Sequence, residues 1–212
     1  MNLMTFSIDT IITKLLTLPG IILGLSFHEF AHAWTSDKLG DPTPRRQGRV
    51  TLNPLAHIDW LGFAALLFLG FGWGKPVQIN PSYYKNRRRD EFLVGIAGVT
   101  MNLILAVLIS VPVRLLSKSI GALGGSVIMQ DIFYILLYAV MINLVLMVFN
   151  LIPCPPLDGF GLVTQIFKLD RYDWWQSLYQ KGSWILIILL VTNVVDAILD
   201  PAVSFMMRLL VN

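Results

Sequence analysis

The residues best suited to chemistry in this chain are three ionisable side chains within five positions, His28, Glu29 and His32. In an α-helix, residues four apart share a face, so His28 and His32 can direct ring nitrogens at one metal ion. Glu29 lies one step round the helix, close enough to reach a water molecule at that metal and accept its proton. The pattern His-Glu-x-x-His is the zinc-peptidase motif, and it predicts metal-assisted hydrolysis of a peptide bond.

A catalytic zinc ion takes three protein ligands and keeps one position open, so a third ligand must come from elsewhere in the chain. The extended metzincin motif has a histidine six residues after His32, but Lys38 occupies that position, which excludes this class. His57 is the remaining histidine, and we interpret it as a hydrogen-bonding residue of its loop. Acidic residues near apolar segments are further candidates: Asp9, Asp59, Asp131, Asp158, Asp196 and Asp200.

Asp158 stands out among these candidates because it closes the proline-rich stretch 150–159. Prolines end a helix and favour extended backbone, so Asp158 should follow directly after the end of an apolar helix. We expect that helix to end on the same side of the membrane as the histidine helix, where Asp158 can meet His28 and His32. Cys154, the single cysteine, lies in the same stretch and is interpreted as a packing residue.

The elements that must position these residues are membrane helices. Residues of the set AVILMFWYC make up 55% of the chain, charged residues only 14%, and the mean hydropathy is +0.67. A soluble protein has about a quarter of its residues charged, so the composition argues against a soluble enzyme, a disordered chain and a nucleic-acid binder. It predicts a mainly α-helical, polytopic helix bundle in a lipid bilayer, with residues 1–212 forming one membrane domain.

Four apolar segments approach the length of about 20 residues that a spanning helix needs, at 11–34, 92–116, 132–152 and 183–199. Asp200-Pro201 interrupts the fourth, and the sequence leaves open whether 201–212 spans or lies at the interface. The apolar stretch 61–71 is only eleven residues long, which favours a re-entrant or interfacial element.

Basic residues are distributed unequally between the two sides of the membrane that these segments define. Nine of the sixteen lie between Trp34 and Glu91, and Lys168, Arg171 and Lys181 fall on the same side, giving twelve against four. By the positive-inside rule, the side with twelve is cytoplasmic. We therefore expect a multi-pass protein of a bacterial-type cell membrane, with its metal site toward the cytoplasm.

The segment between the first two spans reads as strand-rich rather than helical. Residues 48–54 and 75–81 both alternate apolar positions and end in Asn-Pro, a pattern typical of short strands. We expect a small membrane-associated β element within a re-entrant segment at 48–81. A strand edge could pair with the backbone of an unwound substrate, so six residues are candidate substrate-binding residues. They are Val50, Thr51, Leu52, Val77, Gln78 and Ile79.

The motifs, taken in order, resemble those of the site-2 protease family of intramembrane zinc metalloproteases. The resemblance extends from about Leu25 to Phe160. It is carried by His28 to Ala33, Gly40-Asp41, the segment 48–54, His57-Ile58-Asp59, Gly74 to Val77 and the stretch 150–159. Family members often carry a PDZ or a CBS domain, and this chain has room for neither, so it resembles a minimal member.

The resemblance implies roles for individual residues. His28, His32 and Asp158 would hold one zinc ion per chain, and Glu29 would be the catalytic base. Asn150 matches a family asparagine thought to help at the active site, where we expect it to hydrogen-bond the developing oxyanion. The stretch 98–102 matches the family's Gly-x-x-x-Asn element, and Asn102 joins the candidate substrate-binding residues.

The sequence thus predicts an endopeptidase that cuts transmembrane protein substrates near the cytoplasmic face of the membrane. A rival hypothesis is a zinc-binding membrane adaptor or chaperone of the same fold that has lost hydrolysis, but structural zinc would need no base such as Glu29. A metal transporter would show ionisable residues at several depths, whereas here they cluster at one end. The sequence does not identify the substrate, the triggering signal or the oligomeric state.

Overall fold

The architecture is taken from a computed structural model that describes residues 8–69, 72–123 and 125–211, with side chains except those of 8–11, 67–69 and 122–123. Within these ranges the chain forms helices α1 (Ile8–Lys38), α2 (Thr43–Arg46), α3 (Trp60–Leu69), α4 (Arg87–Leu123), α5 (Val127–Leu151), α6 (Asp158–Phe167), α7 (Asp173–Val191) and α8 (Val194–Val211). Single-turn 3-10 helices lie at Pro54–Ala56, Pro81–Tyr83 and Leu169–Arg171.

Helices α1, α4 and α5 pack against one another and form the centre of the bundle. Their approach depends on small residues, as is usual for helices in membranes. At Gly20 in α1, a Cβ atom would lie 2.7 Å from the Cα atom of Ala139 in α5. Helix α6 packs against α4, and α8 packs against α4 and α5. One buried apolar cluster lies between α4, α5 and α8 and consists of Ala106, Val113, Val140, Leu144 and Val203.

Three helical stretches in the described residues are long and apolar enough to cross a membrane: Ile12–Lys38, Arg87–Gly121 and Val127–Leu151. They overlap the predicted segments 11–34, 92–116 and 132–152. The bundle therefore has the helices expected of a membrane protein. Helix α3 covers most of the short apolar stretch 61–71, of which residues 70 and 71 lie outside the described ranges.

The fourth predicted segment, 183–199, is divided between α7 and α8, whose axes are bent by 71°. The break falls at Thr192 and Asn193, and Asn193 has a φ of 56°. Asparagine is one of the few residues that visit this left-handed conformation, so the chain can turn there. The predicted interruption at Asp200-Pro201 is wrong, because α8 continues through both residues to Val211.

The small β element predicted between the first two spans is also wrong. Within the described ranges there is no strand, and residues 49–53 and 75–80 have irregular backbone. One antiparallel bridge joins Ile58 to Gly74, and the adjacent N–H of Lys75 donates to the carbonyl of His57.

Side chains supply the hydrogen bonds that strand pairing would otherwise provide in this segment. The N–H of Val77 donates to Glu29, and the N–H of Asn80 donates to Asp41. The buried guanidinium of Arg49 donates to two carbonyls, those of Ala56 and Lys75. Backbone groups that are paired in this way need no ladder, which is why an alternating pattern does not produce a sheet here.

Candidate metal centre

Three ligand atoms from two separate regions of the chain meet at the end of α1. The Nε2 atoms of His28 and His32 lie 3.0 Å apart, and each lies 3.2 Å from Oδ2 of Asp158. Both histidines are buried and Asp158 is half-buried. The predicted i, i+4 spacing and the predicted third residue therefore converge on one point, and the three residues form a group that could hold a metal ion.

The hydrogen bonds of the two rings fix which nitrogens are free. Nδ1 of His28 lies 2.6 Å from Oδ1 of Asn102, and Nδ1 of His32 lies 2.7 Å from the carbonyl oxygen of Val94. Both partners are acceptors, so each Nδ1 carries the proton and donates it. In the neutral rings, each Nε2 then offers a lone pair toward Asp158. Such outer partners orient metal-binding histidines and fix their tautomer.

These residues fit a zinc ion by both size and chemistry. Two imidazole lone pairs and a carboxylate oxygen at this separation repel one another unless a cation lies between them. Tetrahedral zinc with bonds of about 2.0–2.1 Å places its ligand atoms about 3.3 Å apart, close to the triangle seen here.

Gly98 on α4 lies directly against the two rings. A Cβ atom at this position would lie 2.7 Å from Nε2 of His28 and even closer to Nε2 of His32. Only glycine leaves the room that the two ligand nitrogens occupy. The Gly-x-x-x-Asn element thus serves the metal centre at both ends, since Asn102 is bonded to His28.

Asn102 is not placed to contact a substrate. Its side chain is completely buried and also donates to the carbonyl of Gly24 and to Oδ1 of Asn143. Every polar atom of this amide is therefore used within the helix bundle. We assign Asn102 to the orientation of His28 rather than to substrate binding.

The metal centre opens into a cavity of about 500 Å³, which we call the inner cavity. Glu29 and Asn150 line it together with the three candidate ligands. Oε2 of Glu29 accepts the N–H of Val77 at 3.0 Å, which holds the carboxylate at the cavity wall. The side chain of Asn150 donates one N–H to the carbonyl of Leu146 in its own helix.

The six candidate substrate-binding residues of the segment 48–81 divide into two groups. Val77 and Ile79 line the inner cavity. Gln78 instead accepts an exposed hydrogen bond from Gln47. Among the described residues that line the inner cavity, none comes from 50–52, and Leu52 lines a separate apolar cavity against α1.

Among the described side chains, the group of possible metal ligands includes neither His57 nor Cys154. His57 is buried and its Nε2 lies 2.8 Å from the carbonyl oxygen of Thr51, as its interpretation as a loop residue requires. Cys154 is buried, and burial raises the pKa of its thiol. The side chain of Asp9 lies outside the described ones.

Sequence reasoning missed several residues that line the inner cavity, among them Glu91, Phe160, Gln165 and Tyr179. Tyr179 lies on α7. Trp175 on the same helix is buried and stacks on Phe160, with ring centroids 4.2 Å apart. The signal that could have identified Glu91 is its rarity, because the chain has only two glutamates and Glu29 is the other.

Comparisons with known proteins identify zinc metalloproteases as relatives of this chain. The model of Peptidase family M50 matches residues 110–192, which include Asn150 and Asp158. A Bacillus subtilis (strain 168) protein named "Putative zinc metalloprotease YwhC" is 34% identical over 184 residues, covering 87% of this chain and 84% of that protein.

Two mycobacterial proteins named "Putative zinc metalloprotease Rip2" are also similar. The one from Mycolicibacterium smegmatis is 29% identical over 184 residues, covering 84% of this chain and 67% of that protein. The one from Mycobacterium tuberculosis (strain H37Rv) is 31% identical over 152 residues, so this chain spans 55% of its length. No solved structure matches this chain.

Proposed function

The chain belongs to peptidase family M50, the site-2 protease family of zinc metalloproteases, and on that premise we propose that it cuts transmembrane proteins within the membrane. The bond to be cut would lie near the cytoplasmic face. The observation that carries the proposal is the position of Glu29, whose carboxylate lines the same cavity as His28, His32 and Asp158. A site that only held zinc would need no such base.

Each residue of the centre has one task in this reaction. One zinc ion, held by His28, His32 and Asp158, would polarise the scissile carbonyl and lower the pKa of water at the site. Glu29 accepts the proton of the attacking water and passes it to the leaving amine. The second N–H of the Asn150 amide is free of the bond to Leu146 and donates to the developing oxyanion, a contact worth a few kcal/mol.

The orientation in the membrane follows from charge. The metal centre lies where α1 approaches its end at Lys38, and α4 begins nearby with three consecutive arginines. Basic residues at this end of the bundle favour a cytoplasmic position. The inner cavity then admits water from the cytoplasm, while the substrate enters from the bilayer as a partner of this chain.

A helical substrate must unwind before it can be cut, because its own turns shield each peptide bond. The irregular segment 75–80 is suited to receive the unwound backbone, since Val77 and Ile79 line the inner cavity. Residues 50–52 lie away from that cavity, so we retain only the segment 75–80 for this role.

The experiment that tests the proposal is Glu29→Gln in the full chain reconstituted with zinc in liposomes. Gln keeps the acceptor for the N–H of Val77 but cannot take a proton. Zinc content should stay unchanged, because residue 29 is not one of the proposed ligands. Cleavage of transmembrane peptides should fall by a factor of about 10² to 10⁴. Membrane proteins trapped by this variant would identify substrates. Undiminished cleavage by Glu29→Gln would refute the assignment, and a wild-type chain that binds zinc but cuts nothing would favour a zinc-binding adaptor.

A further inference from the structure

A second cavity, of about 540 Å³, adjoins the inner cavity, and we call it the outer cavity. The two share six lining residues and so form one continuous cleft. The shared residues are Pro81, Glu91, Phe160, Gly161, Gln165 and Tyr179. The outer cavity ends among charged residues, with Arg88 and Asp170 in its wall. A peptide with its scissile bond at the metal centre can therefore continue along the cleft toward the charged end of the bundle.

Glu91 is the acidic residue at the junction of the two cavities. Its carboxylate accepts hydrogen bonds from Arg87, at 2.6 Å, and from the side chain of Gln165. The carboxylate is largely covered, with 18% of the Glu91 side chain exposed, whereas 77% of the Arg87 side chain is exposed. Because the Arg87 side chain is mostly exposed, its guanidinium can return to solvent when another cation takes its place at the carboxylate.

The distance from Glu91 to the metal centre can be read along α4. Gly98, which contacts both histidine rings, lies seven residues after Glu91 on the same face of the helix. At 1.5 Å per residue, the two are about 10 Å apart along the axis. An extended peptide advances about 3.3 Å per residue, so about three substrate residues separate the scissile bond from Glu91.

We propose that Glu91, supported by Gln165, is a specificity subsite that binds a lysine or arginine of the substrate. That residue would lie about three positions from the scissile bond, on the side that leads to the cytoplasm. The chemistry of the substrates favours this assignment, because the cytoplasmic flanks of transmembrane helices are enriched in lysine and arginine. Substrate cation and carboxylate would meet in a partly closed cleft, where ion pairs are stronger than at an open surface. The inference rests on the proposed function of the site.

The test uses the full chain with zinc in liposomes and a library of leucine-rich transmembrane peptides with eight randomised flanking residues. Products are sequenced to place each cut relative to the flank. Wild-type protein should select lysine or arginine about three residues from the cut. In Glu91→Gln, the ratio of kcat/KM for a lysine peptide to that for its glutamine counterpart should fall about tenfold, as expected for loss of one charge-assisted hydrogen bond. Glu91→Lys should select aspartate or glutamate at the same position.

Arg87→Gln is the matched control, because it breaks the same ion pair from the other side. If Glu91 binds substrate, this variant should preserve or raise the lysine preference, since the carboxylate loses its internal partner. If the pair only stabilises the start of α4, Arg87→Gln and Glu91→Gln should reduce cleavage alike and leave the ratio unchanged, which would overturn the inference. Cleavage without flank preference in the wild type would also overturn it. Zinc-loaded protein that cuts no library member would instead refute the proposed function.

Discussion

The metal centre and the connecting segment between α1 and α4, residues 39–86, are built on opposite principles. At the metal centre, regular helices carry the functional side chains, and helical periodicity places His28 and His32 on one face. In the connecting segment the backbone is irregular, and buried polar side chains bind it from several sides. Asp41, Arg49 and His57 are all buried there.

Asp41 illustrates how the connecting segment is held. Its carboxylate accepts the N–H groups of Thr43 and Asn80 and the hydroxyl of Ser36, at 2.7 to 2.9 Å. Burial raises the pKa of this carboxyl, but these hydrogen bonds outweigh burial and hold the pKa below its usual value. One side chain thus fixes the end of the segment 75–80 against the end of α1. The comparison teaches that a helix positions residues by its period, whereas a loop needs a dedicated partner for each backbone group.

The largest effect should come from Asp158→Ala, which removes one of the three ligands. Two imidazoles alone hold the ion weakly, so bound zinc and cleavage should be lost together. His57→Ala, in the connecting segment, should retain the metal because His57 lies apart from the centre. The measurement is zinc content after dialysis, beside a cleavage assay. Stoichiometric zinc in Asp158→Ala, with loss in His57→Ala, would show that His57 is the third ligand.

The next effect concerns the fit of α4 against the metal centre. Gly98→Ala would place a methyl group 2.7 Å from Nε2 of His28, and helix backbone cannot easily withdraw. We expect a loss of zinc affinity of about 10- to 100-fold or more, comparable to that for loss of an outer partner of a metal ligand. Gly121→Ala is the matched control on the same helix, because nothing lies within 4 Å of a Cβ there. Equal zinc affinity in both variants would contradict the proposed packing.

The sequence predicts the metal centre better than any other part of the molecule because helix periodicity and residue chemistry both act over short range. The pair His28 and His32 needs only the helical repeat. The prediction of Asp158 as the third ligand also depends on which helix ends lie on the same side of the membrane. The apolar lengths likewise indicate α1, α4 and α5, although the break at Asn193 depends on a single left-handed residue and was missed.

The connecting segment could not be predicted in the same way. An alternating apolar pattern normally indicates a strand because strands must pair, but here Glu29, Asp41 and Arg49 supply the partners. The contact of Arg49 with Lys75 joins residues 26 positions apart, and that of Glu29 with Val77 joins residues 48 positions apart, so these contacts leave no periodic signal. The same holds for the cleft, where Glu91 meets Gln165 across 74 positions.

A smaller effect, confined to the connecting segment, is expected for Asp41→Ala. The change leaves two backbone N–H groups and a hydroxyl without their acceptor in a buried site. We expect a loss of roughly 2 to 4 kcal/mol in the free energy of unfolding. Zinc binding should persist and cleavage should fall, because the segment 75–80 is no longer held beside Glu29. Thermal unfolding in detergent measures the loss of stability. Gln78→Ala, at an exposed hydrogen bond of the same segment, should leave the free energy of unfolding unchanged.

The smallest effect should appear as a pH dependence of stability that arises from His57. Burial, above all, and the charge of Arg49 hold the pKa of this histidine below its usual value, while a bond to Thr51 only partly offsets them. Its Nδ1 atom is buried and has no hydrogen-bond partner among the described residues, so a proton added there would be both unpaired and close to Arg49. The unfolded chain, with a histidine pKa of about 6.5, would bind that proton more readily.

The sign of this dependence follows from the lowered pKa. The unfolded state binds more protons than the folded state as the pH falls through about 6.5, so folding stability declines from about pH 7 to pH 5. The slope cannot exceed about 1.4 kcal/mol per pH unit for one proton. His57→Gln stays neutral and should lack this contribution, so the difference between its unfolding curve and that of the wild type should shrink on acidification. The zinc ligands are the same in both chains, so their contribution to the pH dependence of stability cancels in that difference. Parallel curves across the range would mean that the folded and unfolded chains bind protons equally at this position, so that folding does not lower the pKa of His57.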